Sequence, residues 1–254
     1  SVEIASAVRK SMKVISTTPS VSGKDMPSVE ELRNYIKYYT GAQDRCVTVK
    51  DYVARILNLP PKYGTPFRVG VSEENNKIMT YVLGIDSEGK LTATLPLILI
   101  RNMQDYLSKY RMINDFVEIK SGKIINLGFN VDVFIDKNYN KSDVITNVIN
   151  TIYEYMDINK HNMGDDIFVG DLEKEINRTD GVISLIDLKV YNKFGEGYSE
   201  TKTEQEIIVD PTDSMADEYQ IDLVASESVL ISEGDTMFEI KHPERDIIVR
   251  CKVR

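Results

Sequence analysis

The run Gly84-Ile-Asp-Ser-Glu-Gly89-Lys90-Leu91 spells GxxxxGK, the spacing with which a glycine-rich loop cradles phosphates and a lysine reaches their outer oxygens. That chemistry needs Ser or Thr after the lysine to ligate Mg²⁺, and here Leu91 follows. Asp86 and Glu88 would also point carboxylates into a cradle meant for anions. The segment therefore reads as a strand ending in a polar turn. Asp157-x-Asn159-x-His161, followed by Asp165-Asp166, has the opening spacing of a Ca²⁺ loop. Its sixth position is Asn162 instead of Gly and its twelfth is Phe168 instead of Glu, so the bidentate ligand is missing. A solvated acidic connection between two helices is expected there.

His161 and His242 are the only histidines, and neither has HExxH spacing or cysteine-rich company, which argues against a zinc site. Cys46 and Cys251 lie in unrelated segments and read as small apolar side chains in a reducing compartment. No GxSxG elbow is present. The 40 acidic residues offer many carboxylate pairs, but the chain has no Trp to serve as a sugar-binding platform. No catalytic, cofactor-binding or metal-ligating residue is assigned, no cofactor is expected, and the chain is read as a non-enzyme. Among the 14 tyrosines, Tyr35 and Tyr39 fall on an apolar helical stripe, whereas Tyr38 lies off it. An amphipathic ring in that position suits a protein partner, so Tyr38 is a candidate interface residue.

The 254 residues suggest two or three folding units. With 31 basic and 40 acidic residues the net charge is −9, and the densest basic run, Arg250 to Arg254, is too short for a nucleic-acid footprint. Neither nucleic acid nor membrane is expected as a partner. No apolar run reaches the roughly 20 residues of a membrane span. The start, Ser-Val-Glu-Ile, has no secretory pattern and no Met, and the chain reads as a fragment of something longer.

Patterning places these residues on elements. Ser28-x-x-Glu31 is a capping box opening a helix that carries Leu32, Tyr35, Ile36 and Tyr39. Thr48-x-x-Asp51 opens a second, which Pro60-Pro61 ends. Strands are predicted around Phe67–Val71 and Ile78–Ile85, and a helix over 95–111. Ile125, Leu127, Phe129, Val131, Val133 and Ile135 alternate over a long strand with one covered face. A helix with a Ser142 cap, a short helix from Asp171 to Arg178 and a strand from Val182 to Tyr191 follow. Residues 193–218 read as a polar linker. Beyond it, Phe238–His242 is predicted to pair with Ile247–Val253 across the Pro243–Asp246 turn.

The fold class predicted is α+β: a multi-module chain with a short helical connector, a split β-α-β ferredoxin-like unit and a small antiparallel β tail module. The expected boundaries are 1–75 for connector and leading strand, 76–192 for the split unit, and 193–254 for linker and tail.

The segment Arg45-Cys-Val-Thr-Val-Lys-Asp-Tyr-Val-Ala-Arg-Ile-Leu57 resembles the baseplate J-like family of contractile injection machines, which carries an Arg-Ala-Val-Thr-x-x-Asp-Tyr stretch at a helix start. Cys46 stands where the family has Ala. The stretches Tyr38-Tyr-Thr-Gly-Ala-Gln-Asp-Arg45 and Asn58-Leu-Pro-Pro-Lys-Tyr-Gly-Thr-Pro-Phe67 carry a closer similarity to the C-terminal part of the baseplate wedge proteins of T-even-type bacteriophages. That resemblance implies a non-enzymatic scaffold in the tail baseplate of a virion, assembled in the host cytoplasm. Copies would associate in pairs and join other wedge proteins in an inner ring. It marks Arg45, Val47, Thr48, Asp51 and Tyr52 as a structural family motif. The alternative from another class is a receptor- or ligand-binding module of a tail or adhesin.

Overall fold

Helix α1 (Val49–Leu57) ends before Pro60-Pro61, as expected, and a 3₁₀ turn, Pro61–Tyr63, carries the chain toward the first strand. The computed structural model describes residues 45–75, 77–195, 197–203, 205, 207–209, 216–219 and 229–253, with isolated positions 29, 32, 33 and 36. Val29, Leu32, Arg33 and Ile36 are helical, while the Ser28–Glu31 capping box, Tyr35, Tyr38 and Tyr39 lie outside the described residues.

Strands β1 (Arg68–Glu74) and β2 (Lys77–Ile85) form an antiparallel hairpin with Glu74 opposite Lys77. So tight a loop needs left-handed backbone, and Asn75 supplies it at φ 51°, a conformation asparagine tolerates better than most residues. The short β3 (Leu91–Thr92) folds back on the end of β2. Helix α2 (Leu97–Leu107) buries Leu99, Met103 and Leu107. These pack with Tyr52 and Ile56 of α1 and with Val69 and Val82 of the hairpin into one core. Strand β4 (Phe116–Ser121), which the periodicity analysis did not identify, then lies parallel to β2.

Gly122 carries the chain from this first sheet straight into β5 (Lys123–Ile135) of the second. The predicted ladder from Ile125 to Ile135 is buried throughout. Its opposite face is covered too at the start of the strand, where Ile124 meets Leu83, Leu91, Met163 and Met237 between the sheets. The covered face packs against α3 (Lys141–Tyr155) and α4 (Val169–Arg178) through Val144, Val148, Ile152, Leu172 and Ile176. Each such side chain contributes about 1.5–3 kcal/mol by leaving water. Asn140, not Ser142, caps α3, its Oδ1 accepting from the Ser142 amide at 3.2 Å. The two-residue β6 (Ile167–Phe168) precedes α4, and β7 (Val182–Lys193) pairs antiparallel with β5.

The fold class is α+β, with the elements largely in the predicted order, but three expectations about their partners are corrected. Strand β2 and strands β5 and β7 do not share the single sheet of a split ferredoxin-like unit; they belong to two sheets. Nor do the last strands form a hairpin. Strands β11 (Thr236–Glu239) and β12 (Ile247–Val253) both lie parallel to β5, on one edge, with Phe238 opposite Ile125 and Val249 opposite Val131. The helical turn α5 (Pro243–Asp246) between them steps the chain aside without reversing it. Strand pairing therefore crosses residue 75, between β1 and β2, and residue 193, where the tail joins the sheet of β5 instead of standing as an antiparallel module.

The polar stretch after β7 is also better held than its composition implies. Strands β8 (Ile207–Val209) and β9 (Ala216–Tyr219) extend the sheet from β7, and β10 (Val229–Leu230) pairs with β6. Upstream of them, the buried Asn126 accepts from the Ser199 amide at 2.7 Å and the buried Asn192 accepts from the Thr203 amide at 2.9 Å. The Tyr198 hydroxyl donates to the buried Asp246 carboxylate.

The two sheets meet along a seam. Gly70 approaches so closely that a Cβ there would stand 2.0 Å from the Gly234 carbonyl oxygen. Beside it Arg68 is only 4% exposed, and its guanidinium donates to the carbonyls of His161 (2.9 Å), Phe67, Ile158 and Asn159 (each 3.1 Å).

Candidate functional site

The family-like motif folds as a cap and an anchor. Thr48 Oγ1 accepts from the Asp51 amide at 3.3 Å, and Asp51 Oδ2 accepts in return from Thr48 and Val47 at 2.8 and 3.0 Å. Reciprocal bonding of this kind satisfies the amides left open at a helix start. Burial pushes the Asp51 carboxyl upward, but the Thr48 and Val47 amides and the Thr48 hydroxyl outweigh it and hold the group below its ordinary value. One turn on, the buried Tyr52 hydroxyl donates to Asp115, in the connection between α2 and β4. Burial first, and then the Asp115 carboxylate, push that phenol well above its usual range.

Cys46 is fully buried, its amide donates to the Tyr110 carbonyl at 2.8 Å, and burial pushes its thiol up to about 11. It therefore stays a protonated packing residue with no nucleophilic character. Arg45 is exposed at the surface.

These bonds bring the 45–52 corner against the 110–116 turn, where a set of apolar side chains faces solvent. Val47 is 56% exposed, Met112 42%, Ile113 93% and Phe116 67%. The turn is braced from within, because the Arg111 guanidinium donates to the Asp115 carbonyl. Strand β4 leaves this corner with only one edge paired among the described residues, and Glu118 on it is bridged by Lys77 at 3.4 Å and Lys120 at 3.5 Å. Charged side chains along an open edge discourage indiscriminate strand pairing. Of the predicted motif, Thr48, Asp51 and Tyr52 are thus scaffold and Val47 is surface. Sequence reasoning missed Met112, Ile113 and Phe116. The available signal was an apolar pair, Met112-Ile113, lying off the α2 stripe in an otherwise polar turn.

The phosphate-loop lookalike is a turn closed on itself. Asp86 Oδ1 accepts from the amides of Glu88 (2.8 Å) and Lys90 (2.9 Å), and the Gly89 amide bonds the Asp86 carbonyl. Strand β3, not a helix, follows it. In the 157–166 loop, Asp157 and Asp165 likewise accept from the neighbouring Asn159 and Asn162 amides. His161 Nε2 donates to the Tyr155 carbonyl, and the ring of His242 meets Tyr198 edge to face. Among the described residues no three His, Cys, Asp or Glu side chains are placed to hold a metal ion. No helix among them is long and apolar enough to cross a membrane.

No family model matches the chain, and no curated protein matches it. Among solved structures it is similar to a chain of the anti-feeding prophage (AFP) baseplate, a 6-fold symmetrised cryo-EM structure, with a TM-score of 0.46 and 12% sequence identity. The match covers 61% of this chain and 36% of that one, so this chain spans about a third of the other's length.

Proposed function

We propose that this chain is a structural subunit of a contractile-tail baseplate, a wedge component without catalytic activity that pairs with a second copy and links wedges into a ring. Two things support the reading. The first is the sequence resemblance carried by Arg45–Leu57 and its flanks. The second, which carries it physically, is the exposed apolar corner of Val47, Met112, Ile113 and Phe116 beside the half-paired β4. Burying such a patch against its own copy gives a self-complementary, two-fold contact, the commonest closed arrangement among soluble assemblies. Other wedge proteins are the further partners, and the virion tail is the location.

Light scattering of the purified chain tests this reading. A dimer is expected, converting to a monomer in Ile113→Asp/Phe116→Asp with an unchanged circular dichroism spectrum. A wild-type chain that stays strictly monomeric at high micromolar concentration overturns it.

A further inference from the structure

The lysine of the phosphate-loop lookalike has another use. Lys90 lies on the wall of an open cavity of about 610 Å³, with Tyr153 of α3 and with Lys241, His242, Glu244 and Arg245 around α5. Its Nζ is 6.0 Å from the centroid of the Tyr153 ring. The cavity thus gathers three cations against one carboxylate on a chain whose net charge is −9.

Burial pushes the nearby Glu239 carboxyl up, and the charges of Lys90 and Lys241 act on it through space without bonding it. Elsewhere seven lysines make ion pairs, yet Lys90 and Lys241 make none among the described residues. The nearby Glu239 carboxylate is buried and turned inward, accepting from the Leu91 amide at 2.8 Å and from Asn126 Nδ2 at 3.3 Å. Arg245 is engaged through its Nε, which donates to the Tyr198 hydroxyl at 3.1 Å and stands 3.9 Å from the buried Asp246 Oδ1, while its side chain is 63% exposed.

We propose that this cavity docks an acidic peptide segment of a partner protein, with carboxylates paired to Lys90, Lys241 and Arg245. The lining favours a peptide over phosphate. A phosphate site is built from convergent backbone amides, and those of the 86–90 turn are already bonded within the turn to Asp86. What the cavity offers is cations on flexible stems, spaced by Ile149, Pro243 and the face of Tyr153. That mixture suits an extended chain whose acidic side chains alternate with an apolar one. A local positive field on an acidic protein also selects the orientation in which a partner approaches. The inference is independent of the baseplate reading, since it uses none of the 45–52 or 110–116 residues.

Fluorescence anisotropy of the full chain with a labelled oligoglutamate peptide tests the proposal, alongside oligolysine and inorganic tripolyphosphate. The expected result is saturable, salt-sensitive binding of oligoglutamate that weakens about tenfold or more in Lys90→Ala/Lys241→Ala, whereas attraction of oligolysine to the acidic surface does not weaken in that variant. Lys174→Ala, which removes an exposed lysine paired with Asp171 on α4, should bind as wild type. Equal affinity of wild type and double variant overturns the proposal, as does absence of binding at low ionic strength. Tripolyphosphate binding tighter than the peptide overturns the peptide assignment.

Discussion

Arg68 and Lys90 stand near the same end of the β1–β2 hairpin, yet one cation is sealed in the seam and the other faces an open cavity. Arg68 has a stack of dipoles for a partner: four carbonyl oxygens, three of them from the 158–161 loop, and the ring of Phe67 4.1 Å from the guanidinium carbon. A fork of donors can satisfy several carbonyls at once, and none of those carbonyls has to be charged. Lys90 and Lys241 are half-buried on the cavity wall and make no ion pair among the described residues. The difference teaches how to read a cation in a structure. Where its donors are exhausted inside the protein it is a fastener, and where they are not it is available to something else.

The largest effect should come from breaking the fastener. Arg68→Ala leaves buried carbonyls without donors and is expected to cost about 3 kcal/mol or more in urea unfolding. Arg68→Lys should recover only part of this, because an ammonium cannot fork across the same oxygens. A loss within the error of the measurement would show that the seam does not depend on this side chain. Next, Gly70→Ala drives a methyl into the Gly234 backbone and should cost about 1–3 kcal/mol in the same assay.

At the apolar corner the effects are local. Thr48→Ala or Asp51→Ala should each cost about 1 kcal/mol by removing half of the cap. Because folding lowers the Asp51 pKa, its share of stability is present above the unfolded value and lost as pH falls through the folded one. The gap between wild type and Asp51→Ala should therefore close on acidification. The smallest change is predicted at the cavity: Lys90→Ala/Lys241→Ala should leave the unfolding free energy within about 0.5 kcal/mol of wild type. A large loss there would mean these lysines also hold the fold, and would erase the contrast with Arg68.

Much of the local structure was legible from residue types. Thr48-x-x-Asp51 gave the cap and the start of α1, and the alternation from Ile125 to Ile135 gave the central strand. Partners were not legible, because a period of two reports that a strand exists and which face is apolar, but not which edge it joins or in which direction. Phe238–Glu239 and Ile247–Val253 show this: the Pro243 segment has turn composition, but the Asp246 carboxylate accepts from the His242 amide at 2.8 Å and closes a helical turn. Strand β4 was missed because Glu118 and Lys120 interrupt its apolar residues with charges that belong to an open edge. The 45–52 motif was visible as a cap, while Ile113 and Phe116 lie in a turn that is joined to it through the Tyr52–Asp115 and Cys46–Tyr110 bonds, some sixty residues apart in the chain.

Asn126 and Asn192 carry a practical consequence for handling this molecule. A protease choosing sites by composition would favour the serine-, threonine- and glycine-rich stretch just after β7, but the amides of Ser199 and Thr203 are pinned to those two buried side chains. To enter a cleavage cleft the backbone must first peel away from the sheet. Nicking should therefore be slow there in the native protein, and should quicken sharply once either asparagine is replaced by leucine, which fills similar space but offers no oxygen to hold the strap down.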